Sequence, residues 1–278
     1  MAKTVRSLVV LGDSTTVGVG DPVPGGWRGV GALLAAALPH ARYHNVSFTG
    51  ARVASVRHRQ LPAALAARPD AAVVLVGMND TLRSDFDGRR VHVDLDAVVG
   101  ALVSAGAAVV TVRFHDHSRV FRLPGALRRA LRARIEELNG IVDAVVRRHG
   151  IECVDLDLMD GAYSPDTWAV DRLHPSEAGH RRLAAAFAAR LARAGCEVPG
   201  RVSLTRTGGL EVTPLHHVVW LVVKGVPWLW RRGRDLVPYA ATIVYRSWAG
   251  HPEPARYVAT EAVVGPTTAA PPLRQPSL

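Results

Sequence analysis

From Val5 to Ala194, apolar runs of strand length alternate with longer stretches of helical pattern. The strand candidates are Val5–Leu11, Ala41–Val46, Ala71–Val76, Ala107–Val112 and Ile151–Leu156. They are rich in valine, and several are apolar on both faces, as strands covered by helices on both sides should be. Helix candidates fill the gaps. Trp27–Leu38 follows a Gly-Gly pair, and Val53–Ala67 contains Pro62, which should break or restart it. Leu95–Ser104 follows an Asp-rich turn. Pro124–His149 has proline at its start and Gly150 after its end, and Ser176–Ala194 opens on Pro175-Ser176-Glu177 and stops at Gly195. Repeated βα units predict an α/β fold with a doubly wound parallel sheet, whose ligands bind beyond the carboxyl ends of the strands.

The pattern changes near Pro199. Gly, Thr and Pro become common and the alternation stops, so residues 1–198 are expected to form the main domain. Residues 199–264 read as a mostly helical extension, with Leu215–Trp230 apolar and aromatic and Arg231-Arg232-Gly233-Arg234 following. Residues 265–278, rich in Pro, Thr and Ala, read as a disordered tail.

Composition narrows the class. With 48% hydrophobic and 21% charged residues, the 278-residue chain fits a globular protein. Its net charge of +10 would suit an acidic partner. However, the only lysines are Lys3 and Lys224, and the arginines are scattered rather than clustered, so nucleic acid is not expected as a partner. Cys153 and Cys196 form no CxxC pair, no apolar run is long enough to span a membrane, and the start lacks a secretory pattern. A cytoplasmic location is the expectation.

Four short segments carry candidate chemistry. Gly12-Asp13-Ser14 ends the first strand and exposes a serine at the sheet edge. Asn45 to Arg52 follows the second strand, and its Gly50 lets a backbone N–H approach a ligand. Gly77-Met78-Asn79-Asp80 follows the third, and an asparagine there can offer an amide to a developing oxyanion. Asp171-Arg172-Leu173-His174 precedes the last helix, a spacing that lets a carboxylate take the Nδ1 proton of an imidazole whose other nitrogen faces a serine. Each segment alone is also an ordinary turn sequence. The spacings GxGxxG, Gly-Lys-Ser/Thr and GxSxG are missing from these segments, which argues against dinucleotide, P-loop and α/β-hydrolase elbow sites.

The order GDS, Gly, GxND, DxxH resembles the SGNH (GDSL-like) hydrolase family over roughly Val5 to Ala194. Gly18-Val19-Gly20-Asp21 and Gly26-Trp27-Arg28 are similar to its intracellular, arginine-rich bacterial branch. The resemblance implies a flavodoxin-like three-layer sandwich around a five-stranded sheet. It implies Ser14 as nucleophile, His174 as base and Asp171 as orienting carboxylate. It implies an oxyanion hole from the backbone N–H groups of Ser14 and Gly50 and the amide of Asn79. The expected reaction is hydrolysis of a small or lipid-like acyl ester, or a thioester, through an acyl-enzyme without cofactor or metal. Transfer of the acyl group to an acceptor, or a non-catalytic membrane-associated role, are the competing readings.

Two further features stand apart. His115-Asp116-His117 follows the fourth strand; it lacks a third metal ligand and reads as a substrate-facing loop, part of a lid with Arg119–Leu123. From Gly200 onward nine Lys/Arg face four acids, so residues 215–248 could meet a membrane surface, a second subunit or the main domain.

Overall fold

The computed structural model describes residues 2–120, 124–210, 238–249 and 256–261. The five expected strands form one parallel sheet: β1 (Ser7–Gly12), β2 (Arg42–Asn45), β3 (Ala71–Leu75), β4 (Ala108–Arg113) and β5 (Glu152–Asp155). Their order is β2-β1-β3-β4-β5, the flavodoxin-like order, which reverses direction between β1 and β3. Both β1 and β3 are buried along their whole length, which is why they read as unbroken apolar runs. The edge strand β2 is mostly exposed and reads Arg-Tyr-His-Asn.

Helices cover both faces. On one, α1 (Gly29–Ala36) packs against the last helix, α5 (Glu177–Arg193); on the other, α3 (Gly88–Ser104) packs against α4 (Gly125–His149). The expected Val53–Ala67 helix is interrupted. A turn at Val53–Ser55 runs into a π-helical turn, Val56–Gln60, before α2 (Leu61–Ala66) restarts with Pro62 in its first turn. Trp27 belongs to a hairpin of Pro22–Val23 with Gly26–Trp27, so α1 starts later than expected. Helix α3 starts earlier, at Gly88, capped by Asp87, whose side chain accepts the Arg90 N–H.

Beyond residue 198 the described chain is irregular over 199–210 and 256–260 and helical over 238–248. Leu215–Trp230 and residues 265–278 lie outside the described residues. The described extension docks on the main body. Arg181 donates to the carbonyls of Ser203 and Thr207, and the Tyr257 hydroxyl meets buried His92 at 2.8 Å. No helix among the described residues is long and apolar enough to cross a membrane.

Candidate active site

β1 ends at Gly12, and Ser14 opens a single helical turn, Ser14–Val17. Asp13 caps that turn by accepting the Thr15 N–H at 3.0 Å. Both peptide groups of Gly12 are held by one side chain: the Gln60 amide accepts from the Gly12 N–H and donates to its carbonyl, each at 2.8 Å. The π-helical turn is what brings Gln60 inward to do this. A helical glutamine ordinarily reads as surface, so no sequence signal marks it.

The serine hydroxyl meets His174 Nε2 at 2.7 Å, and His174 Nδ1 donates to Asp171 Oδ2 at 2.6 Å. Asp171 Oδ1 also accepts the backbone N–H groups of Leu173 and His174 at 2.9 and 3.0 Å. Burial raises the Asp171 pKa, but these hydrogen bonds and the His174 charge outweigh it and hold the carboxyl below its usual range. It is therefore ionised wherever the imidazole must act. The loop itself is a tight return. Trp168 bridges Pro175, and the Ala169 N–H donates to the His174 carbonyl at 2.8 Å. Gly20 lets the first loop pass against it. A Cβ there would lie 2.0 Å from the Pro175 carbonyl oxygen, and φ is +102°.

Asn79 ties the remaining candidates together. Its amide donates to Asp13 Oδ2 at 3.3 Å and to the Ala51 carbonyl at 3.1 Å. It thus bridges the residue before Ser14 and the residue after Gly50. Gly50 has φ +80°, and a Cβ there would meet nothing within 4 Å, so the glycine serves the backbone conformation while the space above it stays open. Asp80, next to Asn79, secures the Gly50 loop from below. It accepts the Val53 N–H at 3.1 Å and pairs with Arg52, which also reaches Asp85. Burial lifts the carboxyl groups of both Asp13 and Asp80 to about 6. Asp13, Asp80 and Arg52 are supports that sequence reasoning did not assign, although the first two adjoin assigned residues.

His115 and His117 were expected in a substrate-facing loop. Both are buried, they lie against Trp168, which precedes the Asp171–His174 loop, and both line the cavity described below. Residues 121–123 of the expected lid lie outside the described residues. Among the described residues no group of three or more His, Cys, Asp or Glu could hold a metal ion. A cavity of about 60 Å³ lies under the site, lined by Asp13, Thr15, Leu173 and Pro175 among others. Ser14 and His174 do not line it, so we read it as the inner side of the site and not as the chamber for the scissile bond.

A serine hydrogen-bonded to an imidazole, itself held by a carboxylate, can be deprotonated as it attacks a carbonyl. The comparisons agree with that chemistry. The GDSL-like lipase/acylhydrolase family model matches residues 10–182, a span that contains all five candidate site residues. Among solved structures, LAE5, an alpha/beta hydrolase enzyme from the metagenome of Lake Arreo, Spain, is 25% identical with TM-score 0.56, covering 69% of this chain and 97% of that one. TesA is 23% identical with TM-score 0.55, covering 68% and 99%. Axe2, an acetylxylan esterase from Geobacillus stearothermophilus, is 19% identical with TM-score 0.57, covering 74% and 99%. The last two are similar in fold only. No curated protein matches the chain. With more than half of its length matched by the family model, the chain belongs to the GDSL-like lipase/acylhydrolase family, the SGNH hydrolases, and is a serine-dependent carboxylic ester hydrolase.

Proposed function

We propose that the protein hydrolyses small acyl esters through a covalent acyl-enzyme on Ser14, with His174 as general base and Asp171 as its orienting carboxylate. The observation that carries this reading is the continuous chain from Ser14 Oγ through His174 to Asp171, at 2.7 and 2.6 Å.

His174 Nε2 takes the Ser14 proton as Oγ attacks the ester carbonyl carbon. The carbonyl oxygen becomes negative, and the N–H groups of Ser14 and Gly50 and the Asn79 amide stabilise it. The tetrahedral intermediate collapses, the carbon–oxygen bond to the alcohol breaks, and the imidazolium returns its proton to the leaving oxygen. Water then repeats the sequence on the acyl-enzyme and frees the acid and Ser14. A thioester fits the same steps with sulfur as leaving atom.

The test is labelling by a fluorophosphonate probe, located by peptide mapping, beside turnover of p-nitrophenyl esters of rising chain length. Wild type should be labelled at Ser14. Ser14→Ala and His174→Ala should each fall to near background, and the double variant should be no worse than either single one, because the pair acts as a unit. Turnover surviving in Ser14→Ala would overturn the reading.

Two proposals concern setting. Cys153 and Cys196 are free thiols, and we read the protein as belonging to a reducing, cytoplasmic compartment. Helix 238–248 exposes Val244, Tyr245 and Trp248, which supports contact of the extension with a membrane surface or a second copy. Salt-sensitive sedimentation with anionic vesicles identifies the first, and a mass that rises with protein concentration the second.

A further inference from the structure

Gly18-Val19-Gly20-Asp21 and Gly26-Trp27-Arg28 take no part in the steps above, yet their loop runs between the nucleophile and the base. It begins on the nucleophile's own peptide. The Ser14 carbonyl accepts the N–H groups of Gly18 and Val19 at 3.1 and 3.0 Å. One step further the loop meets the base. His180, on the helix that follows the base loop, lies 3.0 Å through its Nε2 from the Val19 carbonyl. A carbonyl only accepts, so Nε2 donates there. Burial pushes the His180 pKa down and keeps the ring neutral at pH 7. Gly20 then abuts Pro175, the residue after His174, since a Cβ on Gly20 would lie 2.0 Å from the Pro175 carbonyl oxygen. Val19 and Gly20 therefore touch the turn of Ser14 on one side and the end of the base loop on the other.

A glycine-rich spacer is soft unless something closes it. Asp21 and Arg28 close this one. Asp21 is fully buried, and Arg28 grips both of its oxygens, Nε to Oδ2 and Nη2 to Oδ1, each at 2.9 Å. The Gly29 N–H adds a bond to Oδ2 at 3.1 Å. The two ends of the loop also pack backbone to backbone, because a Cβ on Gly29 would lie 2.2 Å from the Gly18 Cα. Arg28 then reaches beyond the loop. Its Nη2 pairs with Glu177 Oε1 at 2.8 Å, in the first turn of α5, and its Nη1 donates to the Thr207 carbonyl at 2.6 Å. Glu177 Oε1 accepts from Arg181 Nε and from the Thr207 N–H as well, at 2.9 and 2.8 Å. The Arg28 side chain is only 18% exposed, so these pairs are sheltered from the screening that weakens surface ion pairs.

We propose that Arg28, paired with Asp21, is a positioning residue that locks loop 18–29 to the start of α5 and so sets the spacing between Ser14 and His174. The inference rests on the reading of those two residues as nucleophile and base. Asp171 and His174 are bonded to each other within one loop, so a slack clamp displaces them together and leaves their own hydrogen bond in place.

The experiment compares Arg28→Ala, Glu177→Ala and the double variant, well below their melting temperatures. The readouts are kcat, KM, the rate of fluorophosphonate labelling and the downfield proton signal of the Asp171–His174 hydrogen bond. Arg28→Ala should lower kcat and labelling roughly 10- to 100-fold, the order expected when a catalytic group is slightly misplaced. KM should stay within about twofold, and the downfield signal should remain. Glu177→Ala should show a smaller loss of the same kind. The double variant should be no worse than Arg28→Ala, because the two residues form one bridge. Tyr257→Phe, a stability loss on the far strap, should keep its kcat. Wild-type kcat in Arg28→Ala overturns the proposal. So do additive losses in the double variant, and so does a vanished downfield signal, which would mark a melted loop. Should Arg28→Ala not fold, Arg28→Lys decides the matter. It leaves a charge for Asp21 but cannot grip two oxygens and reach Glu177 at once, and wild-type kcat in it overturns the inference. Turnover surviving in Ser14→Ala would sink the triad reading itself, an outcome distinct from any of these.

Discussion

Asn79 holds two acceptors at once in the free enzyme, Asp13 Oδ2 and the Ala51 carbonyl. Both of its N–H groups are thereby engaged, and in the proposed mechanism the one on the longer bond, to Asp13 Oδ2, exchanges that acceptor for the oxyanion. Removing the amide should act on the transition state and hardly on the bound ester. Asn79→Ala should cut kcat by roughly 10²–10³, about 2.7–4 kcal/mol, with little change in KM; steady-state kinetics check this. Asp80→Ala is a change of a different kind, since it strips the buried Val53 N–H and Arg52 of their acceptor. Melting temperature should fall there along with activity. The candidate site was legible where chemistry demands a residue type just after a strand, as at Ser14, Gly50 and Asn79, or the Asp–His spacing at Asp171 and His174. Gln60 was not legible, because its role depends on a π-helical turn that no local pattern announces. Gln60→Leu leaves the buried N–H and C=O of Gly12 unpaired. That should cost about 3 kcal/mol, and calorimetry should show melting lowered by roughly 6–12 °C.

The helices that could be read from sequence are those whose ends are marked by local chemistry. Gly150 is left-handed with φ +60°, and it ends α4 where the sequence places it. Ser176 caps α5 by accepting the Gly179 N–H. The early start of α3 was missed because Asp87 and Gly88 read as turn residues, and only the capping bond makes them a helix start. The extension was the least legible element. Its described end, residues 256–261, is a strap laid across α3 and α4 by tertiary contacts with no local signature. Arg256 pairs with Glu136, Glu261 pairs with Arg147, and Tyr257 covers Gly88 and meets His92. The exposed ion pairs contribute little, whereas the tyrosine seals a buried imidazole. Tyr257→Phe should therefore lower stability by about 1–2 kcal/mol in chemical denaturation, while Arg256→Ala should be close to neutral. Equal effects of the two would assign the strap's contribution to charge instead of to the buried hydroxyl.

Over the whole molecule, buried titratable groups give stability a pH dependence whose sign can be worked out. Burial lowers the pKa of His92, His115, His117 and His180, so the folded protein keeps these rings neutral where the unfolded chain, at 6.5, takes up protons. Below pH 6.5 the unfolded state then binds more protons, and stability falls as pH falls. Asp13 and Asp80 act the other way. They hold their protons up to about 6 when folded and release them near 3.8 when unfolded, so over that window they favour the fold as pH falls. Glu137 is also raised and adds in the same direction. The histidines outnumber the acids, and their window opens first. Near 4 His115 and His180 begin to take up protons in the fold as well, with His117 following near 3, while the paired carboxylates of Asp70, Asp166, Asp171 and Glu177, all lowered in the fold, begin to be protonated and lost as partners. With a net charge of +10 already present at neutral pH, each proton gained also adds to self-repulsion. Melting temperature should therefore be flat from pH 9 to 7, decline gently from about 6.5 to 4, and drop steeply below that. Calorimetry across this range checks the curve, and His117→Phe should flatten its gentle limb because one of the neutral rings is gone. A melting temperature that rises between pH 7 and 5 would mean that the buried aspartates outweigh the histidines, and the assignment of neutral imidazoles beneath the active-site loop would have to be given up.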